Sequence, residues 1–227
     1  MVGFREVLEK QGTELYPYEK LRRLLGGEDR DIGDSFSYRS SFHGICEELK
    51  IWQVLSLEFV RDLGRLLERL SGGTRVLEVM AGSGYLSHHL NQARNGLVHP
   101  TDIGGDRMSA FNRMSRVLQS VERGLDWREA LEKYRPTVVL ASWVPYKENL
   151  WDPLMREFDF VEVGVDIGET QGGCTGVSEY KKVTLEVDED ASRHCLAKTD
   201  YASGWSHTCV SVVRRTSARR RKHGSPR

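Results

Sequence analysis

The 227-residue chain is poor in the features that mark membrane and secreted proteins. No stretch approaches the roughly 18 uninterrupted apolar residues of a membrane span, and none is expected to enter a bilayer. The opening Met1-Val-Gly-Phe-Arg-Glu-Val carries charge too early for the apolar region of a signal peptide. Cysteine is scarce: Cys46, Cys174, Cys195 and Cys209 are scattered and form no C-x-x-C pair. That spacing argues against a disulfide framework or a structural zinc site, so reduced thiols are expected. His194 and Cys195 adjoin, but neighbours on a strand face opposite sides and chelate poorly; no metal is expected. A cytoplasmic or nuclear location follows. No internal repeat is present.

Net charge is also lacking, but only in the sum. The tail from Arg214 to Arg227 holds seven of the 33 basic residues and no acid, leaving 26 bases against 33 acids elsewhere, a net of −7. An acidic globule with a basic tail differs from a neutral protein. The tail could contact nucleic acid through salt-sensitive phosphate pairing. It contains no aromatic for base stacking, and a disordered solubilising terminus is the alternative.

The length suits one α/β domain with a substantial core. Val2 to Leu25 reads as helical, interrupted near Pro17, and Gly26 to Ser41 as a loop. Apolar residues at 45, 49, 52, 55, 59, 63, 66 and 70 mark one helical face. Either one helix or a break near Ser56, a good N-cap, fits that spacing. Ser71-Gly-Gly73 ends it. From Arg75 onward strands and helices alternate. Strands are expected at Arg75–Val79, Leu97–Thr101, Val117–Val121, Pro136–Ala141 and Phe160–Ile167. Helices are expected at Tyr85–Ala93, Arg107–Met114, Asp126–Tyr134 and Leu150–Phe158. Two short β pieces, His194–Lys198 and His207–Val213, read as a terminal antiparallel hairpin through Ser203-Gly204. The expected fold is a doubly wound, mostly parallel α/β sheet. It divides into an N-terminal helical cap (1–74), a Rossmann-like core (75–213) forming one globular unit with the cap, and the tail (214–227).

The chemistry concentrates after the first strand. In Glu78-Val-Met-Ala-Gly-Ser-Gly84 the glycines at 82 and 84 permit a sharp turn and close backbone approach to a ligand. Asp102, after the next strand, stands where a ribose-binding acid belongs. The segment resembles motif I of the class I S-adenosylmethionine-dependent methyltransferases, an acid followed by three alternating glycines, with Met80 in place of the first. The resemblance covers about Arg75 to Arg215. It implies the cofactor S-adenosylmethionine, held by Glu78, Ala81, Gly82, Ser83, Gly84 and Asp102, with Asp126 and Trp127 beside the adenine. A dinucleotide reading, with Ser87 in the place of a third glycine, competes. Electrostatics opposes it, since Glu78 would repel a pyrophosphate and attract a sulfonium and an ammonium.

Asp126-Trp-Arg-Glu129 also reads as a capping box opening a helix. Ser142-Trp-Val-Pro-Tyr146 follows the strongest strand and should line the substrate side. It is similar to the Asn-Pro-Pro-Tyr-type segment of amino-group methyltransferases, which implies acceptor roles for Ser142, Pro145 and Tyr146. Glu169-Thr-Gln-Gly-Gly-Cys-Thr-Gly176 is a candidate lid, with Cys174 as a neutral thiol. Of His88 and His89, one should face solvent and the other the core. The expected activity is direct methyl transfer to an unidentified acceptor. A non-catalytic methyltransferase-like interaction protein and an NAD-dependent enzyme are the alternatives. Oligomeric state is left open.

Overall fold

The computed structural model describes residues 4–26, 44–46, 48–49, 51–104, 118–144, 149–169, 183–196 and 208–216. The expected helix Arg107–Met114, Pro145, Tyr146, the Gly-rich segment after Glu169 with Cys174, and the tail beyond Thr216 lie outside them.

Two short helices, α1 (Phe4–Lys10) and α2 (Tyr18–Gly26), are separated by residues 11–17, a longer break than the one expected near Pro17. The apolar period from Ile45 is broken at Ser56. Its hydroxyl accepts the Phe59 amide at 3.0 Å and caps α3 (Leu57–Ser71), which Gly72 closes in a left-handed conformation. Helix α3 buries Phe59, Val60, Leu63, Leu66 and Leu67.

The core follows in the order β1 (Val76–Val79), α4 (Tyr85–Ala93), β2 (Val98–Asp102), β3 (Glu122–Arg123), α5 (Trp127–Tyr134), β4 (Val138–Ser142), α6 (Trp151–Glu157), β5 (Val163–Glu169), β6 (Val183–Val187), α7 (Glu189–Ser192) and β7 (Thr208–Arg215). One seven-stranded sheet is ordered β3-β2-β1-β4-β5-β7-β6. Every pair from β3 to β5 is parallel, and β7 runs antiparallel to both β5 and β6. The strands are covered on both faces. Val76, Val138, Leu140 and Val165 join a core with α3 and α4, while Leu77, Val79, Val139 and Ala141 join one with α5 and α6. This arrangement, with the last strand inserted antiparallel beside β5, is the class I methyltransferase fold.

Two expectations are corrected. The C-terminal antiparallel pair is present, but its first member is Val183–Val187; residues 194–196, the described part of the expected strand His194–Lys198, are not in the sheet. The alternation Val183-Thr-Leu-Glu-Val187 carried that signal. Residues 194–196 instead hold the N-terminal segment: the Leu196 carbonyl accepts from the Val54 amide and from Gln53 Nε2, each at 2.8 Å. Nor do residues 118–121, the described part of the expected strand Val117–Val121, form a strand. The strand is Glu122–Arg123, and Val121 packs instead against Gly84, where an added Cβ would lie 2.2 Å from its Cγ2.

The capping box is formed. Asp126 Oδ1 accepts the amides of Arg128 at 2.8 Å and Glu129 at 2.9 Å, and Glu129 Oε2 accepts the Asp126 amide at 2.7 Å. Asp126→Ala is therefore expected to lower stability by about 1 kcal/mol in urea unfolding, with an unchanged denaturant slope. Among the described residues no helix is long and apolar enough to cross a membrane.

Candidate functional site

In an open α/β sheet the ligand crevice lies beyond the carboxyl ends of the strands, where the order reverses. Here that point is between β1 and β4, and four elements converge on it. The chain leaves β1 through Met80, with φ 56°, and turns through Gly82 (φ 58°) and Gly84 (φ 77°) into α4. Met80, in the place of the motif's first glycine, thus adopts the left-handed backbone that glycine accepts without penalty. Trp143, just past β4, does the same with φ 56°. Left-handed non-glycine residues at the ends of two adjacent strands are the kind of strain that gathers at ligand sites.

The loop is fastened to β2. The Ala81 amide donates to the Thr101 carbonyl at 3.0 Å, and Thr101 Oγ1 donates to the Glu78 carbonyl at 3.0 Å. Asp102 is 5% exposed and uses both oxygens: Oδ2 accepts the Gly82 amide at 2.9 Å and Oδ1 the Gly104 amide at 2.7 Å. The Gly84 amide donates to the Ala81 carbonyl, and the Leu118 amide to Ser83. Ala81 and Ser83 are half-buried between these ties.

Glu78 lies beneath the loop, 1% exposed, on the α4 face of the sheet. The hydroxyl of Ser87 donates to its carboxylate. Burial pushes Glu78 up to about 7; Ser87 opposes the shift and the Asp102 charge adds to it. Ser87 therefore serves as a partner for a buried acid.

Asp126 and Trp127 stand at the start of α5. The Asp126 carboxylate caps the helix. Trp127 is half-buried, edge-on to Phe158 at 6.2 Å and with the Arg128 guanidinium 4.0 Å from its ring. Ser142 ends β4, half-buried and paired with Ile167.

The N-terminal segment meets the sheet at this same end. Trp143 Nε1 donates to Gln53 Oε1 at 2.9 Å, and the Trp143 ring stacks on Trp52 at 6.1 Å. Gln11 Nε2 donates to the Gln53 carbonyl at 2.8 Å, and Gln11 Oε1 accepts the Leu55 amide at 3.0 Å. His89 is the buried member of its pair. Its Nε2 lies 2.7 Å from the Gln11 carbonyl and must donate there, and burial lowers its pKa, so it is the neutral tautomer.

Three residues near the carboxyl ends of the strands make contacts that the sequence motifs do not foresee: Ser87, Gln53 and Asp166. Asp166, 5% exposed on β5, accepts Trp151 Nε1 at 3.0 Å and lies opposite Ala141 and Ser211. Burial pushes it up to about 6. An acid inside the apolar run Val163-Gly-Val-Asp-Ile167 was the available signal. Among the described residues no group of His, Cys, Asp or Glu could hold a metal.

No protein-family model matches the sequence, and no curated protein matches it. Solved structures do resemble it. Cofactor-bound Rv0187 from MTB aligns with TM-score 0.41 and 11% identity over 86% of this chain and 94% of that one. A point mutant of MtNAS aligns with TM-score 0.38 and 9% identity over 92% of this chain and 86% of that one. Similarity this distant carries no chemistry; the strand order identifies the fold.

Proposed function

We propose that this chain binds S-adenosylmethionine across the carboxyl ends of β1 and β2 and transfers its methyl group to an acceptor held against the end of β4. The observation that carries the reading is the state of the glycine loop. The Gly82 and Gly84 amides are already satisfied, one of them by a carboxylate, and a second carboxyl lies directly beneath. A dinucleotide pyrophosphate needs free amides and no negative charge at that position. A ligand with a ribose, a sulfonium and an ammonium suits two acids.

In this reading Asp102 takes the ribose hydroxyls on its remaining lone pairs, and the backbone of Ala81 to Gly84 lies along the ligand. Glu78, being enclosed, acts through its charge and not by contact. Trp127 and Asp126 border the adenine end. By the resemblance Ser142, Pro145 and Tyr146 take the acceptor roles, and the Trp52–Trp143 stack walls the Ser142 side. The cofactor supplies an electrophilic methyl group; the protein supplies alignment of the acceptor with it, which is worth several kcal/mol in reactions of this kind.

A binding protein without turnover is the second reading. What favours it is Trp143, which occupies the polar position of the Asn-Pro-Pro-Tyr-type segment and spends its indole N–H on Gln53. Calorimetric titration with S-adenosylmethionine, S-adenosylhomocysteine and NAD tests the shared step. Micromolar binding of the first two and none of NAD is expected; preference for NAD would overturn the proposal. A methyl-transfer screen over small-molecule, protein and RNA acceptors then separates enzyme from binder.

The pH dependence of that titration is a second expected result. Glu78 holds its proton up to about 7, so a cationic ligand meets a neutral carboxyl below that pH and an anion above it. Affinity should rise about 3- to 10-fold between pH 6 and 7.5 and stay flat in Glu78→Gln. Stability should move the other way. The raised pKa means the folded chain keeps a proton that the unfolded chain releases, so Glu78 makes stability fall as pH climbs from about 4.5 to about 7, and Glu78→Gln should lack this part of the decline.

A further inference from the structure

Strand β6 ends the sheet, and its sequence is symmetric about its own centre. Val183-Thr-Leu-Glu-Val187 places Val183 and Val187 at equal offsets from Leu185. Two lysines (181, 182) precede it in the sequence and Asp188-Glu189 follow, again at equal offsets but with opposite charge. The exposure pattern is equally pointed. Val183 is buried in the α6-side core, while Leu185 and Val187, on the same side of the strand, are 39% and 40% exposed. They are two of only four large hydrophobics exposed to that degree among the described residues. An edge strand that carries its apolar side chains outward, and whose outward backbone groups have no partner among the described residues, is a template for another strand.

The hydrogen-bond phase shows which groups are on offer. The Asp188 amide donates inward to the Val210 carbonyl of the neighbouring strand at 2.9 Å. By the alternation of an antiparallel ladder, residues 184 and 186 also point their backbone groups toward β7. The N–H and C=O groups of Val183, Leu185 and Val187 therefore point away from the sheet.

We infer that β6 is the interface with a second copy of this chain, paired antiparallel about a two-fold axis at Leu185. In that register Leu185 faces its own copy, Val183 faces Val187 of the second copy, and Thr184 faces Glu186. All three outward N–H and all three outward C=O groups of each copy find partners. The apolar side chains meet on one face, next to Val213 of β7. The flanking charges decide the direction of pairing. Antiparallel addition of an identical strand sets the Asp188-Glu189 pairs of the two copies at opposite ends of the ladder, whereas parallel addition sets these acids side by side. Asp188 already pairs with Arg69 at 2.8 Å and caps α7, so Glu189 is the freer of the two acids. Five residues a side bury less than the usual interface of about 1,600 Å², so the dimer is weak and depends on concentration. The inference is independent of the ligand reading, because β6 lies at the opposite end of the sheet from β2 and β3.

Sedimentation velocity of the full chain over a concentration series is the test. A reversible shift from monomer to dimer in the micromolar range is expected. Leu185→Lys should raise the dimer dissociation constant by at least about tenfold while leaving the unfolding midpoint of this exposed position unchanged. A register-specific variant guards against dimers formed elsewhere. Leu185→Cys, made with Cys174→Ser, should give a disulfide-linked dimer on mild oxidation, because facing residues in such a pair lie about 5.5 Å apart at Cα, within disulfide reach. Thr184→Cys in the same background should not link. A chain that stays monomeric throughout, or a dimer indifferent to both changes at Leu185, overturns the inference. Capture of a different protein by a monomeric chain does so as well.

Discussion

Asp102→Ala is expected to weaken binding of S-adenosylmethionine and S-adenosylhomocysteine by about 100-fold or more, the largest effect of any single substitution on the site. Two losses combine. The ribose hydroxyls lose a charged acceptor, worth about 1.5–3 kcal/mol. The Gly82 and Gly104 amides lose theirs as well, and these two bonds tie the loop after β1 to the end of β2. Asp102→Asn separates the contributions. An asparagine oxygen can accept one of the two amides, but its NH₂ group meets the other donor to donor, so binding should fall to an intermediate level. Calorimetry with the two ligands, beside a thermal melt of each variant, reads both parts. Affinity within threefold of wild type in a folded Asp102→Ala protein would remove Asp102 from the ligand site.

The second large effect is on stability. Trp151 is fully buried between α6 and β5, so closely that a Cβ on Gly164 would lie 2.3 Å from its Cζ3. Trp151→Ala should cost about 3–5 kcal/mol through lost packing and the cavity left behind. Trp151→Phe keeps most of the ring and removes the indole N–H, the donor to Asp166. Its cost should depend on pH. Asp166 already holds its proton up to about 6 through burial, against 3.8 for the free group, so wild-type stability declines as pH rises between those values. Without the indole, the ionised form is disfavoured further and the decline continues above pH 6. Urea unfolding at pH 5 and pH 8 should show Trp151→Phe losing roughly 1–3 kcal/mol more at the higher pH. The same substitution made with Asp166→Asn should lose the same amount at both. Equal losses in the presence of the aspartate would mean that packing alone accounts for Trp151.

What the sequence by itself determined about this protein is local. Alternating apolar runs, the Ser56 and Asp126 caps, and the glycines at 82 and 84 depend on residues within one turn or one strand of each other. The forces involved, backbone sterics and side-chain capping, act over that range. The same locality let Glu78, Gly82 and Asp102 be placed together, because a short βαβ unit fixes how its strands return. The tertiary structure decided what depends on distant chain segments meeting. Gln53 reaches Trp143 across 90 positions and Leu196 across 143. Asp166 finds its donor on a helix that precedes it, and β6, not residues 194–196, becomes the partner of β7. Each of these pairs a polar or apolar group with whichever partner the fold brings near, and a buried polar group is stable only where such a partner arrives. Sequence spacing records the need for that partner, while the topology of the sheet decides which residue meets it.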